Sequence, residues 1–231
     1  MYPVVKSKKF FFLNEKSAWL SAFIGNLITV PLVFFLKKKI FISPNLISII
    51  GGFIFFASAI NFYFFPNYNY LCSIGFFISY LLDSTDGKLA RIRGMKNKSG
   101  AILDSTIDLL CHSVGLLIVC LALSKHVGSH TPLIILLPYV AFLTYAHIRD
   151  LKLILFKKKN KIFKKKSDPN TWQKFCWEKG LNEYPYNDWE TIYISILVVS
   201  INLDNPIIFL LFAVNINLII KIYLFIKNKY L

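Results

Sequence analysis

Residues 69–123, NYLCSIGFFISYLLDSTDGKLARIRGMKNKSGAILDSTIDLLCHSVGLLIVCLAL, decide how the chain is read. Two apolar runs, 69–92 and 99–123, flank a short basic stretch from Arg91 to Lys98. Each run is long enough for a helix that crosses the roughly 30 Å hydrocarbon layer of a bilayer. Four carboxylates, Asp83, Asp86, Asp104 and Asp108, stand inside these runs or at the ends that face the basic stretch. Ionisable groups at that depth are costly and mark function. Asp83 and Asp86 are three residues apart and Asp104 and Asp108 four apart, so each pair shares a helix face. Antiparallel neighbouring helices would direct both faces at one spot.

The rest of the chain agrees with a membrane reading. Among 231 residues, 55% are hydrophobic, 16% aromatic and 17% charged, against about 45–50% apolar and about 25% charged in soluble domains. The balance of 27 basic and 12 acidic side chains gives 27 − 12 = +15. The lysines cluster at Lys6 to Lys9, Lys37 to Lys39, Arg91 to Lys98, Lys152 to Lys166 and Lys221 to Lys229, at alternate ends of apolar stretches. That is the pattern of cytoplasmic loops, and it excludes both a disordered and a nucleic-acid-binding reading of the charge.

The sequence therefore predicts an all-α, polytopic membrane bundle of six transmembrane helices, at about 44–65, 69–92, 99–123, 131–152, 187–203 and 205–226. Pro44-Asn45, Pro66 to Asn69, Gly128 with Pro132, and Asp204-Asn205-Pro206 punctuate them. Residues 15–36 carry Asn26 and Pro31 and lie between lysines. They are expected to form an amphipathic interfacial helix rather than a seventh span. The expected organisation is a cytoplasmic N-terminal segment, 1–43, and a catalytic domain, 44–231, whose polar insert at about 153–186 rests on anionic lipid head groups. Both termini are expected on the cytoplasmic side of an inner membrane. The basic N-terminus is followed by no small-residue cleavage pattern, so a removed signal peptide is not expected. Cys72, Cys111, Cys120 and Cys176 form no C-x-x-C pair, and neither disulfide nor zinc site is expected.

Four converging carboxylates would repel one another, which calls for a resident cation. Oxygen-only ligands favour Mg²⁺, Mn²⁺ or Ca²⁺ over zinc. Gly87, Ala90 and Gly100 let backbone or a flat ligand approach closely, and Arg91 beside carboxylates suits a phosphate. Metal with arginine indicates phosphoryl chemistry, and its place at the cytoplasmic helix ends would admit one water-soluble substrate and one lipid.

Asp83-x-x-Asp86-Gly87-x-x-Ala90-Arg91, eight residues to Gly100, three to Asp104 and three to Asp108 resembles the complete signature of the CDP-alcohol phosphatidyltransferase family. Eight identities at fixed spacing arise by chance roughly once in ten billion starts at about 5% usage per residue. The motif covers 26 residues, and the six-span layout, the amphipathic helix and Pro44-Asn45 are also similar to the family's. Ser48 stands where members often carry Thr and keeps the hydroxyl. The resemblance implies a homodimeric membrane transferase of phospholipid biosynthesis. Such an enzyme passes a phosphoryl-alcohol group, most simply phosphatidyl from CDP-diacylglycerol, to the hydroxyl of a small polar alcohol and releases CMP. It implies Asp83, Asp86, Asp104 and Asp108 as ligands of two Mg²⁺ or Mn²⁺ ions. Asp108 would also be the general base, with Gly87, Ala90, Arg91 and Ser48 bordering the CDP group.

The acceptor is less legible. Residues 101–110, AILDSTIDLL, match neither the phosphatidylglycerol phosphate nor the phosphatidylserine branch, and Leu109 stands where the inositol-phosphate branch often carries Arg. Arg149, beside Asp150, is the acceptor candidate; the alternative is an interfacial anchor. Arg93, Lys96 and Lys98 read first as a basic surface loop. His112, one turn after Asp108, is expected to bond a neighbouring helix or to tune that aspartate. Competing functions are the same chemistry with another CDP-alcohol donor or a lipid or glycan acceptor, and, more distantly, a divalent-cation channel or transporter. An arginine in a cation path argues against the last.

Overall fold

The structure, a computed structural model, describes residues 25–65, 69–95 and 97–156, with Phe175 and Ile219 besides. Its helices are α1 (Asn26–Lys37), α2 (Pro44–Phe64), α3 (Asn69–Ile92), α4 (Lys98–Leu110), α5 (Leu116–Val127) and α6 (Thr131–Phe156), with a π-helical segment, Cys111–Gly115, joining α4 to α5. There is no strand among the described residues. The ends follow local chemistry. Ser43 caps α2, its hydroxyl accepting from the Leu46 amide at 3.1 Å, and Pro44 supplies a first-turn residue that needs no partner. Gly128, at φ +67°, closes α5 in the left-handed conformation.

Among the described residues, three helices are long and apolar enough to cross a membrane: α2, the continuous Lys98–Val127 rod and α6. Helix α3 has 24 residues, but Asp83, Asp86, Lys88 and Arg91 interrupt its apolar character. The rod runs beyond the expected 99–123 to Val127, because Lys125 and His126 sit favourably at its carbonyl end. Helix α6 passes the expected end at 152 and reaches Phe156, with Arg149, Asp150 and Lys152 exposed. Most of the insert and, Ile219 apart, both final spans lie outside the described residues, as do residues 15–24 of the expected interfacial helix. The described part of that helix, α1, is 12 residues, about 18 Å at the α-helical rise and short of a span. It buries Thr29, Val30, Val33 and Leu36 and exposes Leu27, Ile28, Phe34 and Phe35.

Helices α2 to α6 share one core, in which Phe55 meets Phe76 edge-on with centroids 4.9 Å apart. A second cluster, Val33, Leu36, Ile47 and Leu89, seats α1 against α2 and α3. Within a bilayer, helices gain little from hiding apolar surface and associate by close packing instead. That packing is visible at two glycines. A Cβ on Gly52 would lie 2.7 Å from Ile107 Cγ2 of α4, and one on Gly115 would lie 2.5 Å from the Phe55 ring. Cys72, Cys111 and Cys120 are free and buried, while Cys176 lies outside the described residues.

Gly115→Val is therefore expected to force the Phe55 ring aside and to destabilise the bundle by about 1–3 kcal/mol. Thermal unfolding in detergent measures this, and adding Phe55→Leu should recover part of the loss; an unchanged midpoint in Gly115→Val would refute the tight contact.

Candidate functional site

The site forms where three helices meet. The turn between α3 and α4 holds Gly94 at φ +67°, a left-handed conformation that glycine adopts without strain. It ends at Asn97, whose side chain caps α4 by accepting from the Gly100 amide at 2.7 Å. A Cβ at Gly100 would fall 2.8 Å from Asn97 Oδ1 and 3.3 Å from Asn45 Oδ1. Gly100 thus lets the cap fold over the start of α4 and lets α2 begin beside it. Helix α2 then leans on α3 through Gly51, whose carbonyl accepts from the Ser79 hydroxyl at 2.9 Å.

This wedge brings Asp83 of α3 together with Asp104 and Asp108 of α4. One carboxylate oxygen from each lies within 4.8 Å of the others. The three line a recess with Ser48, Gly51 and Gly52. The fourth aspartate lies outside this group of three: Asp86, only 4% exposed, accepts a short hydrogen bond from the Ser48 hydroxyl of α2. The structure thus gathers three of the four sequence-identified aspartates and fastens the fourth to the hydroxyl that the sequence analysis set beside the nucleotide. Three hard, anionic oxygen donors this close suit Mg²⁺ or Mn²⁺. Their mutual repulsion gives a cation strong reason to bind.

Arg91 lies over Gly87. A Cβ there would meet the guanidinium at 3.5 Å, an ordinary contact, so the described chain does not itself demand glycine at this position. The Arg91 Nε is buried without a hydrogen-bond partner among the described residues. An unmet buried donor costs on the order of 1–3 kcal/mol, and an anion would satisfy it. Ala90 is half-buried on the same helix.

Other basic residues have structural posts. Arg93 donates to the carbonyls of Ile42 (2.6 Å), Leu36 (2.5 Å) and Lys39 (2.8 Å), clamping the segment after α1. Lys98 donates to the Leu155 carbonyl at 3.0 Å, and Lys96 lies outside the described residues. Arg149 pairs with Asp150 on an exposed part of α6, through Nε at 3.0 Å and Nη2 at 2.9 Å, and does not line the recess. His112 bonds His147 of α6, ring nitrogens 2.6 Å apart and rings stacked, so the first of its two expectations holds. The π-helical segment carries His112 across to α6, a kind of irregularity common at functional sites. The sequence reading missed Lys88, whose ammonium is buried between α1 and α3. It stands at a variable position of the motif, and only its place among four fixed neighbours hinted at a role.

Comparison with known families matches residues 41–176, more than half of the 231, to the family described as CDP-alcohol phosphatidyltransferase. That span takes in α2 to α6 and every aspartate of the site. No curated protein matches the chain.

Asp104→Asn is expected to weaken Mn²⁺ binding, measured by electron paramagnetic resonance, by at least the roughly 10–100-fold that follows loss of an outer-shell partner. Arg93→Ala should lower the unfolding temperature while leaving Mn²⁺ affinity within about threefold, since its partners are backbone carbonyls. A large loss of affinity in Arg93→Ala would return that residue to the site.

Proposed function

Because the chain belongs to the CDP-alcohol phosphatidyltransferase family, whose members move a phosphoryl-alcohol group from a CDP-alcohol to an acceptor, we propose that it transfers phosphatidyl from CDP-diacylglycerol. The acceptor is the hydroxyl of a small polar alcohol, CMP is released, and the reaction belongs to phospholipid biosynthesis. The observation that carries this reading is the meeting of Asp83, Asp104 and Asp108 in one recess, on helices of a chain that three long apolar helices make an integral membrane protein.

In this reading Asp83, Asp86, Asp104 and Asp108 hold two Mg²⁺ or Mn²⁺ ions. When bound, the ions offset the negative charge that grows on the pyrophosphate oxygens. Asp108 accepts the proton of the acceptor hydroxyl as that oxygen bonds to the phosphatidyl phosphorus, and the bond from that phosphorus to the CMP oxygen breaks. Arg91 supplies the buried donor to the pyrophosphate, Gly87 and Ala90 leave room for it, and Ser48 holds Asp86 at its border. Arg149, exposed on α6 and outside the recess, is the residue assigned to the acceptor.

The architecture proposed around this site has six spans, a homodimeric assembly and a division at 43/44. Residues 15–36 lie along the cytoplasmic face of an inner membrane. Support comes from the exposed apolar face of α1 next to Lys37 to Lys39, and from Arg91, Arg93 and Lys98 at the site's end of the bundle. Leu109, in place of the Arg of the inositol-phosphate branch, favours a second reading with another CDP-alcohol donor or a lipid or glycan acceptor.

Purified protein with Mg²⁺ or Mn²⁺ should release CMP only when CDP-diacylglycerol and an acceptor are both present, tested with glycerol 3-phosphate, serine, inositol and inositol 1-phosphate. Chelation should stop the reaction and added Mn²⁺ restore it. Asp108→Asn is expected to slow release by roughly 10²–10⁴-fold with CDP binding preserved. Silence with all four acceptors would favour the second reading, and Mg²⁺ flux through vesicles without nucleotide would sink both.

A further inference from the structure

Lys88 is 4% exposed, yet among the described residues it touches no carboxylate. Its ammonium donates to the Thr29 hydroxyl of α1 at 2.9 Å and to the Ser84 hydroxyl, one turn back on α3, at 2.5 Å. Thr29 is itself fully buried. A lysine almost never sits this deep unless its charge is compensated, and two neutral hydroxyls do not compensate a full charge. Among the described residues, the field of Arg91 opposes its charge and the fields of Asp83 and Asp86 favour it. What compensation the charge has therefore comes from these carboxylates at a distance.

Geometry explains why the contact is missing. Ser84 is four residues from Lys88 and faces it on the helix, while Asp83 and Asp86, five and two residues away, project elsewhere. Thr29 closes the other side. An ammonium in contact would occupy carboxylate oxygens that a metal needs. Held off by hydroxyls, it acts through its field alone, and in a buried setting that field is weakly screened.

We propose that Lys88 is a fixed positive charge set beside the carboxylate site, loosening its hold on the divalent cation and tightening its hold on the anionic pyrophosphate of the donor. The inference rests on the metal and nucleotide reading above. One charge acts on two ligands of opposite sign, so neutralising it must move their affinities in opposite directions. A residue that merely supports the fold would move both the same way.

Two variants of the full-length, detergent-solubilised protein test this. Lys88→Met removes the charge and keeps the stem; Thr29→Asp keeps the lysine and sets a carboxylate against it. In each, Mn²⁺ alone is titrated by electron paramagnetic resonance, and CDP is titrated calorimetrically at saturating Mn²⁺. Mn²⁺ is expected to bind about three- to tenfold more tightly, and CDP more weakly by a similar factor. Parallel weakening of both ligands, or no change in either, overturns the inference, and Thr29→Asp decides alone if Lys88→Met does not fold. Failure of the wild-type chain to bind Mn²⁺ would overturn the metal-dependent function and this inference together.

Discussion

Three carboxylates with oxygens inside 4.8 Å repel one another, and the described fold is organised around holding them there. Asp83 sits on one helix and Asp104 and Asp108 on the next, so the repulsion acts to part α3 from α4. A third helix opposes it. Helix α2 packs its glycine edge into the crevice, with Gly52 so close to Ile107 that a methyl group would not fit. The same edge gives Ser48 to Asp86 and a backbone carbonyl to Ser79. The cost of gathering negative charge is offset in part by contacts that only small residues allow.

Further polar links tie outlying helices to this wedge. Lys88 joins α3 to Thr29 of α1, Arg93 gathers three carbonyls at and just after the end of α1, Lys98 reaches the end of α6, and His112 meets His147. Each such link contributes on the order of 0.6–2 kcal/mol within a membrane bundle. Their greater effect is on register. A helix that slides or rotates along its neighbour loses the links it makes there, so the oxygens of the site inherit a fixed geometry from bonds that do not touch it.

Several elements were legible beforehand. Pro44-Asn45 marked the start of α2, and Gly128, named among the turn-formers, stopped α5 as a residue that accepts positive φ. The spacing of the four aspartates identified both site helices. Boundaries slipped where polar residues occupy helix ends outside the apolar layer. Lys125 and His126 extended one helix, and another ran on past Lys152 through Leu153 to Phe156, because hydrogen bonding along a helix does not stop at its first charged residues. Roles slipped as well. Arg93 read as a loop charge and proved to be a clamp, since its partners stand more than 50 residues away.

The sequence by itself determined the membrane character, the helical class, the family signature and the four carboxylates, since each depends on composition or on spacing within one helix. Only the tertiary structure decided that Asp83, Asp104 and Asp108 converge while Asp86 bonds Ser48, and that Lys88 is buried against the Thr29 hydroxyl. Those outcomes depend on which face of one helix meets which face of another. Such a choice is made by close packing between residues far apart in the chain, 38 positions for Ser48 and Asp86 and 59 for Thr29 and Lys88, and no local periodicity encodes it.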